Sequence, residues 1–183
     1  MAQFIPFDDN AMVNGSTVMA TINAFPKFMR EVGVEMLQNN GIDHLTDDGW
    51  YPQKKWLDTF KEISIKFGEN TLFQIGKSIP DSAKFPPNMN TLEEAFNLLS
   101  VAYQMNHKDG DIGVFEVHSI DEEKKEIIFY CKNPYPCDFD RGVLTAMARK
   151  FKTGVNVGYV EGKPRRKDGA DESWYIITYD GDL

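Results

Sequence analysis

Residues 131–142 read CKNPYPCDFDRG, and the chain on either side of this stretch decides the fold. Pro134 and Pro136 each lack an amide donor and hold φ near roughly −65°. Asn133 and Tyr135, each followed by proline, are pushed toward extended geometry. A strand arriving at Cys131 therefore cannot continue in a sheet. Asp138 or Asp140 can cap a helix that begins near Arg141. Val143, Met147 and Phe151 predict one apolar stripe along that helix. Gly142 costs it about 1 kcal/mol relative to alanine, so close packing on a neighbour is the expected reason for a glycine there. Before the stretch, IGVFEVHSI (112–120) and KEIIFYC (125–131) are β-branched and aromatic and flank a charged turn. After it, GVNVGYV (154–160) and SWYIITY (173–179) repeat the pattern around a longer loop. Both pairs read as hairpins. The order β-β-α-β-β predicts an antiparallel four-stranded sheet packed on helices.

The first half has a helical period. Ser16 is a candidate N-cap, Pro26 forces a break, and Gly41 suits a helix C-terminus. LTDDGWYP (45–52) reads as a loop. Trp56, Phe60, Ile63 and Phe67 recur at spacings of four, three and four, one helical stripe that Gly68 stops. ENTLFQIGKSI (69–79) predicts a short helix. Thr91 and Glu94 form a capping box for a long helix over Thr91–His107. The fold class expected is α+β, in a single domain over 1–183. Its mainly helical part is 1–90, and 91–183 holds the long helix and the β-β-α-β-β part.

The net charge of −8 over 183 residues speaks against a phosphate-tracking nucleic-acid surface. The one basic run, KPRRK (163–167), is followed at once by acidic residues and reads as a solvated loop. No apolar run approaches the roughly 18 residues needed to span a bilayer, and MAQFIPFDDNAM lacks the basic start of a signal peptide. The expectation is a cytoplasmic protein with reduced thiols. IGKS (75–78) lacks the first glycine of a phosphate-binding loop, because Thr71 stands there. His44, His107 and His118 have no nucleophile elbow to serve. Cys131 and Cys137, at C-x5-C, lack the second ligand pair of a zinc site and are not a C-x-x-C redox pair.

GENTLFQIGKSI (68–79), TLEEAFNLLSVAY (91–103), a hairpin and then RGVLTAMARKF (141–151) resemble the heme–nitric oxide/oxygen-binding (H-NOX) domain. The resemblance covers roughly residues 55–180 and rests mainly on the order of its parts. It implies a long helix carrying a heme-ligating histidine and a Tyr-x-Ser-x-Arg clamp on the heme propionates. Register places Phe96 at the histidine. At the clamp only Tyr130 matches, with Lys132 for the serine and Pro134 for the arginine. The C-terminal half is also similar to vinyl-reductase-type sensor domains. Their tail Cys-x3-Gly-x3-Cys has Arg165 and Ser173 in place of its cysteines here, around Gly169.

The expected function is a heme-free sensory domain, not an enzyme. It holds a small, largely apolar ligand between the long helix and the sheet and signals through a partner protein or a homodimer. Candidate pocket residues are Trp56, Phe60, Phe73, Phe96, Leu99, Tyr103, Tyr130 and Met147, with Phe129 as the alternative to Tyr130 on the facing strand. A filled aromatic core is the competing reading of the same residues. The alternatives are a heme- or metal-binding sensor, with zinc on Cys131 and Cys137, and a reductase-type enzyme or ligand-free adaptor. No cofactor is expected, and neither nucleic acid nor membrane insertion.

Overall fold

The computed structural model describes residues 3–87 and 89–181. Strand β1 (Met12–Asn14) leads directly into helix α1 (Gly15–Asn23), whose N-cap is Asn14. Ser16, the expected cap, instead donates its amide to the Asn14 side chain at 3.1 Å. Pro26 separates α1 from a 3-10 turn at Lys27–Met29 and then α2 (Arg30–Asn39). The stretch expected as a loop at 45–52 ends in strand β2 (Trp50–Pro52), paired antiparallel with β1. Helix α3 (Gln53–Phe67) buries Trp56, Phe60 and Ile63 completely and stops at Gly68, which has φ +85°. Helix α4 (Glu69–Ser82) outruns the short helix expected and carries Pro80 in its last turn.

The long helix over Thr91–His107 is two. Thr91 and Glu94 form the capping box, but α5 (Leu92–Asn97) and α6 (Leu99–Met105) are separated at Leu98. His107 is not in a helix: it opens the two-residue strand β3 (His107–Lys108) on the other edge of β1. Strands β4 (Val114–Asp121) and β5 (Glu126–Lys132) form the first hairpin, with a bulge beside His118. Helix α7 (Cys137–Arg149) follows, then β6 (Asn156–Tyr159) and β7 (Ser173–Thr178). The four strands are antiparallel in the order β4-β5-β7-β6. The protein is α+β.

Alternation along the sheet decides which side chains reach the core. Ile127, Phe129 and Cys131 of β5 are buried, as are Tyr175 and Ile177 of β7. Tyr130 and Trp174, paired in register, occupy the opposite face. The tightest helix contact is α4 on α7. A Cβ at Gly142 would collide with the Phe73 carbonyl oxygen, and one at Gly76 with the Phe139 carbonyl oxygen. Two glycines therefore let the backbones meet, which is the packing expected of Gly142. The helix start differs from expectation. Pro136 is the N-cap and no side chain caps it. Asp138 lies in the first turn, and Asp140 is buried.

Candidate ligand-binding cavity

A cavity of about 50 Å³ lies where α3, α6, α7 and β4 converge. Its wall is almost wholly apolar and includes Trp56, Leu99, Tyr103, Phe115, Phe139 and Val143. Ala83 and Phe85, half-buried in the α4–α5 connection, add to it. Trp56 is held by its indole N–H, which donates to Thr21 Oγ1 at 2.8 Å. Three rings brace it: Phe60 at 4.6 Å, Tyr135 at 5.2 Å and Phe139 at 5.7 Å.

One side of the cavity carries a neutral polar relay. His107 Nδ1 lies 2.7 Å from the Tyr103 carbonyl oxygen. A carbonyl only accepts, so Nδ1 carries the proton and Nε2 the lone pair. The Tyr135 hydroxyl, 2.5 Å away, then donates to Nε2. Its oxygen accepts from Gln53 Nε2 at 3.0 Å. Burial holds the imidazole down, at about 4, against the Tyr103 carbonyl, which favours a charged ring. Burial pushes the Tyr135 hydroxyl far above its ordinary value, with the Gln53 amide opposing. The relay is uncharged at neutral pH. Beside it, Asn106 clamps the α4–α5 connection. It donates to the Lys84 carbonyl at 2.7 Å and accepts from the Lys84 amide at 3.0 Å.

The other side carries an ion pair. Asp140 lines the cavity and pairs with Arg166, and each side chain is only 1 % exposed. The guanidinium also donates to the Asn133 carbonyl and side-chain oxygens and to Ser173 Oγ. Asn133 Oδ1 in turn accepts from the Tyr135 amide at 3.0 Å, fixing the Asn-Pro-Tyr-Pro turn. Burial raises the Asp140 carboxyl to about 6, opposed by Arg166 and Asn133. Arg166 thus corrects the reading of KPRRK as a solvated loop: one of its arginines is a core residue.

The structure brings only some of the candidate residues to this space. Trp56, Leu99 and Tyr103 line it. Phe60 stacks behind Trp56 and Phe139, and Met147 is buried along α7. Phe96 packs edge-on against Phe129 at 5.9 Å, so Phe129 is the β5 ring that faces the helices. Tyr130 is on the outer face, donating to Glu172 at 3.0 Å. Phe73 is half-exposed under the Arg141 guanidinium. Cys131 and Cys137 are buried free thiols, with Cys137 Sγ 3.2 Å from Ser173 Oγ. Among the described residues, no group of three or more His, Cys, Asp or Glu is placed to hold a metal, and no helix is long and apolar enough to cross a membrane. Sequence reasoning passed over Gln53, Asn133, Tyr135 and Arg166 as site residues. Asp140 had a signal. It lies three and seven residues before Val143 and Met147, a carboxylate on the apolar stripe.

These elements and their order define an H-NOX fold, and solved structures agree. A single-site variant of the Tt H-NOX domain superposes with TM-score 0.66 at 17% identity, over 93% of this chain and 96% of that one. The oxygen complex of an oxygen-binding H-NOX domain related to soluble guanylate cyclases gives 0.64 at 18% identity, over 92% and 96%. A substituted H-NOX protein from S. oneidensis in the Fe(II) ligation state gives 0.63 at 9%, over 93% and 97%. No protein-family model and no curated protein matches the sequence. No histidine offers a free ring nitrogen to the cavity. His107 has both nitrogens engaged, and His44 and His118 are exposed.

Proposed function

We propose that this chain is a heme-free sensor domain of H-NOX fold that holds a small apolar molecule in the cavity beside Trp56 and Tyr103. The observation that carries the reading is the pairing of an aromatic wall with a residual apolar space. Phe96 fills the helix–sheet junction at the position the resemblance assigns to the ligating histidine. The domain acts by binding, since the relay groups are engaged with one another and none is poised as a free base. An occupant would touch α6 and Asn106, and Asn106 joins α6 to Lys84 and to Thr17 of α1. Occupancy would thereby bias how these elements present themselves to a partner or to a second copy.

Hemin titration tests the heme-free state. The expected result is no sharp Soret band at equimolar hemin and no rise in Tm. A stoichiometric Soret band that His107→Gln abolishes would restore heme sensing. A native mass spectrum of the purified protein reports any small molecule carried with it and the oligomeric state.

A further inference from the structure

The cavity is bordered by polar side chains, yet it has no donor to offer a guest. Trp56 Nε1 donates to Thr21. The Thr17 hydroxyl donates to Asn106 Oδ1 at 2.8 Å, and the Asn106 amide nitrogen to the Lys84 and Ala102 carbonyls, each at 2.7 Å. The Tyr103 hydroxyl donates to the Ile112 carbonyl at 2.6 Å. His107 gives its one proton to the Tyr103 carbonyl, and Tyr135 gives its own to His107 Nε2. Asp140 has its carboxylate on Arg166 and Asn133. Every side-chain N–H and O–H on the wall thus has a partner inside the protein.

We infer that the cavity selects an uncharged guest of about three to five heavy atoms that needs no hydrogen-bond donor, a small hydrocarbon or a gas of similar size, and rejects carbonyl and carboxylate compounds of the same shape. The size follows from the volume: one water needs roughly 10–15 Å³ of such space, and apolar cavities stay dry and take up apolar guests. The selectivity follows from hydrogen bonding. A carbonyl or carboxylate entering here would exchange its bonds to water for none, which discriminates strongly against it. Benzene, which fills an engineered cavity of about 150 Å³, is too large. The inference rests on the sensor reading above but commits to more than it does.

Methyl NMR of the whole chain under xenon or isobutane, with acetone as the isosteric polar control, tests this. Xenon and isobutane should shift the methyls of Ile79, Leu99 and Val143 saturably, and acetone at tenfold higher concentration should leave them unmoved. Equal shifts with acetone, or shifts confined to surface methyls, would overturn the selectivity. A saturable benzene shift in the wild-type protein would overturn the size limit. Ala102→Leu should fill the space and abolish the xenon shift, and Leu99→Ala should enlarge it and admit benzene. If Ala102→Leu does not fold, Ala83→Val at the half-buried part of the wall serves the same purpose, and a xenon shift unchanged there counts against the site. Hemin uptake bears on the heme-free state alone, so the two ideas fail separately.

Discussion

Two buried polar networks leave the stretch Cys131–Gly142 on different sides, and they are built from different chemistry. Toward the 160s loop, Asp140 and Asn133 hold Arg166 in a charged cluster. Toward the cavity, Tyr135 joins Gln53 and His107 in a neutral relay. A buried charge needs its counter-charge within contact distance, so the first network fixes geometry severely. A neutral chain of single donors and acceptors pairs all of its groups here but Gln53 Oε1 and leaves an apolar surface next to it. One proline-stiffened turn therefore separates a rigid ionic corner from a space that can stay dry.

The largest expected effect breaks the ionic side. Arg166→Met leaves Asp140 buried without its cation and should lower unfolding free energy by about 3–5 kcal/mol in urea. Replacing both partners, in Asp140→Leu with Arg166→Met, should recover most of that loss. If the single substitution is as mild as a surface change, the cluster does not hold the corner.

The relay responds to pH instead. His107 titrates near 4 when folded and near 6.5 when unfolded. Between those values the unfolded chain binds more protons, so stability falls as pH drops through the window, by about 3 kcal/mol. Asp140, raised to about 6 from 3.8, acts oppositely, because there the folded state holds the extra proton. The two slopes offset each other in the wild type. Subtracting the stability of His107→Gln from that of the wild type isolates the histidine. That difference should decline from pH 6.5 to 4, and a flat difference would show that the ring is not held neutral.

The α4–α7 crossing anchors both networks from behind. Gly142→Ala gains up to about 1 kcal/mol of helix propensity but drives a methyl into the Phe73 carbonyl oxygen. Separating the two backbones outweighs that gain. The expected net loss is about 2 kcal/mol, within the range for overpacked cores. Gly68→Ala, in open space at φ +85°, would lose stability through backbone strain instead and leave α4 on α7.

The crossing also shows what was legible in the sequence. Gly142 in a helix flagged close packing, Thr91 and Glu94 flagged a helix start, and period-2 runs flagged both hairpins, because each is a local signal. Strands β1 and β3, of three and two residues, are too short to show a period, so His107 read as a helix end. The break at Leu98 has no proline or glycine to announce it. Arg166 sits in a run that looks like any solvated basic loop, and only its distant partner Asp140 makes it a core residue. The candidate site was legible as an aromatic surplus, and Trp56, Leu99 and Tyr103 do border the space. Which β5 ring faces the helices depends on the sheet face that the strand turns inward, which sent Phe129 in and Tyr130 out.

The smallest expected effect tests the direction of the relay. Tyr135→Phe keeps the ring among Trp56, Phe60 and Phe139 and deletes one oxygen. His107 Nε2 then loses its donor and Gln53 Nε2 its acceptor. A water in place of the hydroxyl pairs both groups again, so the expected loss is about 0.5–1.5 kcal/mol, the net worth of a hydrogen bond, and a larger loss would mean that no water enters. Tyr103→Phe offers the contrast, because its hydroxyl serves only the Ile112 carbonyl, which keeps a second lone pair for water. The tautomer makes a further distinction. With Tyr135 donating, the substitution frees the Nε2 lone pair, and the nitrogen-15 shift of Nε2 should move away from its hydrogen-bonded value while Nδ1 stays protonated on Tyr103. If Nδ1 already lacks a proton in the wild type and Nε2 carries it, the relay runs the other way and Tyr135 is an acceptor.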